Sequence, residues 1–267
     1  MMEDSGHRME LDGAPVTAGD LAPLAMVNFG HFTSMYVQDG AVRGLELHLD
    51  RLVRDCRIVF AAELDPDLVR DRIRHALGDV DQPVVVRVTI YDPALTMARP
   101  GDPAKPRVHV NVRAASASPQ APLRLQSVAW SRDTPEVKHV GLFGAELRRA
   151  RAQRAGFDDV LLTSADGLIS EIATSNIGLI TTDGELIWPE ADVLNGTTMQ
   201  LLNRVRDREV LTRKVALTGL HTFAGAVATN AATGVRPIES VDNVEWPVHD
   251  LVATLRDQYD SIQPQQI

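Results

Sequence analysis

The sequence predicts a mixed α/β (α+β) fold in two domains, and three observations carry that prediction. Runs rich in β-branched residues, such as "QPVVVRVTIYD", read as strands. Between them lie segments with apolar residues at helical spacing. A stretch of small residues and proline, Ala115 to Pro122, then interrupts the 267 residues near their middle. The predicted domains are residues 1–118 and 119–267, each α/β, with Lys138 in the second.

The elements follow in order. "MELDGAPV" places Asp12-Gly13 between short apolar stretches, a hairpin signal. "HFTSMYVQDGAVRGLELH" repeats it around Asp39-Gly40. Leu49, Leu52, Val53, Cys56, Val59 and Phe60 have the spacing of one helix face. "DPDLVRDRIRHALGDV" opens on Asp-Pro and closes near Gly78, so a second helix is expected. The run ending at Tyr91 reads as a central strand, and "PRVHVNVRAA" as another. Beyond the break, "FGAELRRARAQRAG" predicts a helix ending at Gly156. Several strands joined at Asp166-Gly167 and Asp183-Gly184 come next. A helix follows Gly196, and "GAVATNAATGVRPIESV" predicts a strand, a small-residue turn and more extended chain.

Composition narrows the function classes. A net charge of −9 favours neither nucleic acid nor an anionic membrane as partner. No apolar run approaches the roughly 20 residues that span a bilayer. The acidic start lacks the apolar core of a secretory signal. Cys56 is the single cysteine, so no internal disulfide forms and the expected compartment is the cytoplasm.

Of 27 lysines and arginines only three, Lys105, Lys138 and Lys214, are lysine. Arginine keeps its proton near neutral pH, whereas a lysine in apolar surroundings can lose it and react as an amine. Lys138 lies among Val137, Val140, Leu142 and Phe143, a setting for an imine-forming nucleophile or for a lysine reaching out from a strand end. Lys105 reads as a solvated loop charge, and Lys214 as a strand-edge or surface one. "LNGTTMQLL" sets Gly196, Thr197 and Thr198 at a helix start, where unpaired N–H groups and the helix dipole favour an anion; the plainer reading is a threonine cap. Glu171, in an apolar strand, needs a partner if buried, and a protonated heterocyclic nitrogen would serve. Asn176 follows it as a residue that ties turns or orients a ligand. His48 and Arg51 share a helix face, and the planar fork of Arg51 suits a phosphate. Amine, phosphate cradle, arginine and carboxylate together are the needs of pyridoxal phosphate.

The ordered motifs "HLDRL", "KHVGLF", "DGLISEIATSN" and "LNGTTMQLL" resemble those of the class IV aminotransferases, the fold-type IV group of pyridoxal phosphate enzymes. The resemblance spans about Met9 to Glu239. It implies a fold like that of D-amino acid aminotransferase, with the cofactor in the interdomain cleft. Lys138 looks like the Schiff-base lysine, Glu171 like the acid on the pyridine nitrogen, and Arg51 like the phosphate-binding arginine. Thr197 and Thr198 match the phosphate turn, Leu194 the residue packing on the ring, and Asn176 the asparagine after the glutamate. Phe143 stands where many members have tyrosine, and Met199 where an arginine often follows the phosphate turn. Ala231 and Ala232 replace a hydroxyl pair that touches phosphate, leaving Asn230 or Thr233 to compensate. His31 is expected to face the substrate, and Arg99 to read its carboxylate or to be a surface residue. The implied activity is transfer of an amino group between an amine or amino acid and a 2-oxo acid, in a homodimer without metal. A lyase of the aminodeoxychorismate type and a catalytically degenerate member stay open on the same residues.

Overall fold

The computed structural model describes residues 8–116, 120–206 and 208–267, so the middle of the predicted break, residues 117–119, lies outside the described residues. The chain forms two compact units. The first comprises the chain up to Ser116, the segment Val137–Gly141 and the terminal Pro264–Ile267; the second runs to Glu136 and over Leu142–Gln263.

The first unit opens with the hairpin β1 (Arg8–Leu11) and β2 (Ala14–Pro15), then α1 (Ala18–Met26), β3 (His31–Val37), β4 (Ala41–Val42), α2 (Leu45–Phe60), α3 (Pro66–Leu77), β5 (Val84–Tyr91) and β6 (Arg107–Ala114). Its five-stranded sheet has the order β2-β1-β6-β5-β3 and is antiparallel throughout. β5 is therefore interior, as its β-branched run predicts. Alternation along the strands divides the faces. Met35, Val37, Val84, Val86, Val88, Val108, Val110 and Val112 join Leu49, Leu52, Cys56 and Ile73 of α2 and α3 in one core. The other face carries Phe32, Ser34, Arg87, Thr89, His109 and Asn111, in rows set by the register Phe32–Thr89–His109 and Ser34–Arg87–Asn111. The hairpin turns close where predicted: Asp12, Gly13, Asp39 and Gly40 all have positive φ.

The second unit contains β7 (Leu123–Ala129), α4 (Phe143–Arg154), β8 (Asp159–Thr163), β9 (Ile169–Ile172), β10 (Asn176–Ile180), β11 (Leu186–Pro189), α5 (Thr197–Val205), β12 (Leu211–Arg213), a 3-10 turn (Leu217–Thr222), β13 (Gly225–Asn230), β14 (Gly234–Val241), β15 (Val244–Glu245) and α6 (Leu251–Asp260). The sheet order is β12-β11-β10-β13-β14-β7-β8-β9, with β15 paired to β14. One face buries Ile169, Ile172, Ile177, Leu179, Ala226 and Ala228 together. The opposite face carries Gly178, Val227 and Trp188 in contact range, and Trp188 Nε1 donates to Asn203 Oδ1 of α5 at 2.9 Å. That is the face α5 covers. A last short strand, β16 (Gln265–Gln266), belongs to the first unit and pairs there with β4.

Candidate active site

In the first unit the functional side chains hang on α2, β3 and the inserted segment Val137–Gly141. Phe32 N donates to Lys138 O at 2.8 Å and Val140 N donates to Gly30 O at 2.9 Å, so the segment meets the start of β3 in an isolated antiparallel bridge. From α2, the buried carboxylate of Asp55 accepts from Lys138 N at 3.0 Å through Oδ2. Its Oδ1 accepts from Arg54 at 2.6 Å and 3.0 Å. The lysine is thus held from both sides by its backbone. Its half-buried side chain places Nζ 4.8 Å from the centre of the Phe32 ring. Lys105 and Lys214 are exposed.

Arg51 is only 6% exposed, so it is not a surface arginine of α2. Burial, with Arg54 adding to it and Asp55 opposing, lowers its pKa to about 10. It remains a cation at neutral pH, held in a site that resists bare charge. One turn away His48 is fully buried, and its Nδ1 lies 2.7 Å from Thr33 Oγ1. Burial first, then the nearby Arg51 and Lys138 charges, drive its pKa well down, so it is a neutral ring.

Of two expected substrate residues, His31 is corrected here and Arg99 takes its surface alternative. His31 lies on the core side of β3, opposite Phe32, with its ring 5.9 Å from that of Phe60; it is a core histidine kept neutral by burial. The side chain of Arg99 is 75% exposed and its Nε pairs with Asp102 Oδ1 at 2.9 Å, so it is a loop charge. Arg87 is a residue that the sequence reading missed. Its guanidinium carbon is 3.6 Å from the centre of the same Phe32 ring that Lys138 approaches. Among the described residues no carboxylate pairs with it. Its place in the strand alternation, on the face opposite the valines, is the signal that would have found it.

In the second unit Glu171, on β9, is 3% exposed. A buried carboxylate needs a counter-charge. Arg132 provides one, with Nε 2.9 Å from Oε1 and Nη2 donating to Ala173 O at 3.1 Å. Arg132 was also missed, because no spacing rule links it to Glu171. Leu194 N donates to Glu171 Oε2 at 3.4 Å, and Asn176 Nδ2 donates to Leu194 O at 2.8 Å. The glutamate and the asparagine therefore strap down the turn that leads into α5. Gly196 is required there, because a Cβ would collide with Asn176 Oδ1. Thr197 and Thr198 follow as buried first-turn residues of α5.

The side chain of Asn230 is engaged within its own turn. Its Oδ1 accepts from Ala232 N, Thr233 N and Thr233 Oγ1, each at 3.0 Å, and its Nδ2 donates to Ser175 Oγ at 2.9 Å. The amide oxygen shapes the turn through Ala231 and takes the Thr233 hydroxyl, while one amide hydrogen goes to Ser175. Phe143 begins α4 with 76% of its surface exposed.

The comparisons with known proteins fit this arrangement. The family model "Amino-transferase class IV" matches residues 30–241. A probable branched-chain-amino-acid aminotransferase of Rickettsia felis is 30% identical over 122 residues, 43% of this chain and 42% of that protein. The chain thus aligns with less than half the length of the curated relatives it matches. A hypothetical aminotransferase from Mycobacterium tuberculosis, in a form with alpha-ketoglutarate and PMP bound, superposes with a TM-score of 0.80 at 18% identity, covering 96% of this chain and 98% of that one. A branched-chain aminotransferase from Thermoproteus uzoniensis, solved with norvaline, gives 0.84 at 17% identity, covering 96% and 94%. At such identities the likeness shows the fold.

Proposed function

Because the chain belongs to the class IV aminotransferase family, we propose that it is a pyridoxal phosphate-dependent aminotransferase acting between an amino acid or amine and a 2-oxo acid. The observation that carries this reading is the seat of Lys138. Its backbone is pinned by Asp55, Phe32 and Gly30, and its amine lies over an aromatic ring beside the buried Arg51 and the neutral His48. The residues fit the cofactor. Thr198 Oγ1 is buried at the N-terminus of α5 without a hydrogen-bond partner among the described residues, and Arg51 is a buried cation; both suit a phosphate.

When bound, pyridoxal phosphate supplies an aldehyde that joins an amine and a ring that draws electron density from the substrate. Lys138 would provide the amine that holds the cofactor, and its Nζ is the group that would move a proton to and from the substrate carbon. Glu171, paired with Arg132, would face the ring nitrogen and favour its protonated form. Arg51 and, in the second unit, Thr197, Thr198 and the turn at Leu194–Gly196 are the residues that would hold the phosphate. Arg87, unpaired and next to Lys138 on Phe32, takes the carboxylate of the amino acid or 2-oxo acid.

We place the protein in the cytoplasm on its single cysteine and read it as a homodimer. The dimer rests on apolar surface in the first unit: no residue of α1 is buried despite its apolar sequence, and Met26 is 74% exposed. Sedimentation at the 29.2 kDa monomer mass under working conditions would remove the dimer from the reading.

The test of the activity is chemical. Purified protein incubated with pyridoxal phosphate should absorb in the visible, and borohydride followed by peptide mapping should leave the pyridoxyl label on Lys138. A label on Lys105 or Lys214, or none, would overturn the assignment. Conversion of a 2-oxo acid to its amino acid on adding an amino donor completes the test; release of pyruvate from a chorismate-type substrate would mark a lyase instead.

A further inference from the structure

The hydroxyls around the N-terminus of α5 are unequally committed. Thr233 Oγ1 donates to Asn230 Oδ1, and Ser175 Oγ accepts from Asn230 Nδ2. Ala231 and Ala232 have none to offer. Two hydroxyls are buried and have no hydrogen-bond partner among the described residues: Thr198 Oγ1 and Thr229 Oγ1. Thr198 is 1% exposed and Thr229 2%. Buried hydroxyls without partners are rare in folded proteins, and each such group asks for an explanation.

The sheet register says where Thr229 points. Ala226 and Ala228 lie in the core on one face of β13, so Val227 and Thr229 belong to the other, the face under α5. Across the strand pair Thr229 stands opposite Asn176, whose amide holds Leu194 O and whose Oδ1 lies against Gly196. Cross-strand partners share a face. The Thr229 hydroxyl is thus beside the residue that shapes the anion turn, and on the face covered by the helix whose first turn carries the other unpartnered hydroxyl.

We infer that Thr229 donates its hydroxyl to the cofactor phosphate together with Thr198, supplying from the strand what Ala231 and Ala232 cannot supply from the turn. This rests on the pyridoxal phosphate reading above, and it adds a residue to the site. An anion at the α5 N-terminus pairs both orphan hydroxyls at once. A bound phosphate is the ligand that this chemistry selects, because its oxygens only accept and both threonines have a proton to give.

The experiment compares pyridoxal phosphate with pyridoxal, which has the same ring and aldehyde and lacks the phosphate. Each is titrated into apo-protein and followed by absorbance, with the apo-protein melting temperature recorded alongside. Thr229→Val keeps the shape and removes the hydroxyl. It should bind pyridoxal phosphate roughly ten- to hundred-fold more weakly than the parent, the effect of losing one charge-assisted hydrogen bond. Its affinity for pyridoxal should be unchanged. Thr229→Ser, which keeps the hydroxyl, should bind pyridoxal phosphate close to the parent level and guards against a valine variant that folds poorly. The inference is overturned if Thr229→Val binds pyridoxal phosphate like the parent, if both ligands weaken equally, or if the serine variant loses as much as the valine one. A parent that binds no pyridoxal phosphate would instead refute the cofactor reading itself, so the two failures are distinct.

Discussion

Arg87 and Lys138 meet one ring, that of Phe32, at 3.6 Å and 4.8 Å from its centre. Burial, with Arg113 adding to it, lowers the pKa of Arg87, yet no carboxylate in the described chain offsets its charge. A half-buried cation without a partner binds an anion more strongly than a solvated one does, because less water must be displaced. Arg87→Leu should therefore raise KM for a carboxylate-bearing donor by roughly ten-fold to a few hundred-fold, the worth of a charge-assisted pair at about 1.5–3 kcal/mol. For an amine donor without a carboxylate KM should stay near the parent value. Steady-state kinetics with the two donor types decide it: equal losses on both would make Arg87 a residue of the fold. Arg99→Leu, at a loop pair exposed to water, should change neither.

The element that matters most for the lysine is the segment Val137–Gly141, which belongs by its contacts to the first unit although its neighbours in sequence belong to the second. Asp55 holds it from α2 through Lys138 N. Replacing Asp55 with alanine leaves that amide unpaired and releases Arg54, a cost of about 1–3 kcal/mol. Amide exchange should rise at Phe32, Lys138 and Val140 while α3 keeps its protection. Unchanged exchange at those three amides would show that β3 alone holds the segment. None of this docking is legible in sequence, because residues 55 and 138 are far apart and no local period connects them. Local features are legible. The Asp-Gly turns, the α2 and α3 spacing and the helix after Gly196 follow from backbone sterics and apolar period. Helix α1 escaped because Gly19 and Pro23 argue against a helix, although the reciprocal Thr17–Asp20 cap that starts it is a readable signal. In the site, Lys138, Glu171 and Arg51 are legible as residue types in ordered motifs. Arg87 and Arg132 are not, since strand pairing and tertiary packing alone bring them to Phe32 and Glu171.

At the scale of the whole molecule, the two units carry buried ionisable groups of opposite response to acid. In the first unit His31, His48 and His109 are buried and have lowered pKa values, burial being the main cause in each; that of His31 falls to about 3. In the unfolded chain each takes up a proton near pH 6.5. Below that pH the unfolded state binds more protons than the folded one, so stability present above pH 6.5 is lost as the pH falls towards the folded values. Each histidine contributes a slope of at most about 1.4 kcal/mol per pH unit. In the second unit burial raises the pKa of Asp159, against the hydrogen bonds from Thr174 and Val160. A raised carboxylate pKa works the other way: protonation on acidification relieves the buried charge, and stability is lost as the pH rises through the folded value. Hydrogen exchange followed from pH 7.5 to pH 5.5, after correction for intrinsic rates, should then show β3, α2 and β6 losing protection while β8 and β10 hold theirs. His31→Leu, similar in size and without a proton to gain, should reduce the acid slope of stability by up to about 1.4 kcal/mol per pH unit in urea titrations. Equal loss of protection in both units, or an unaltered slope in His31→Leu, would show that other groups govern acid unfolding.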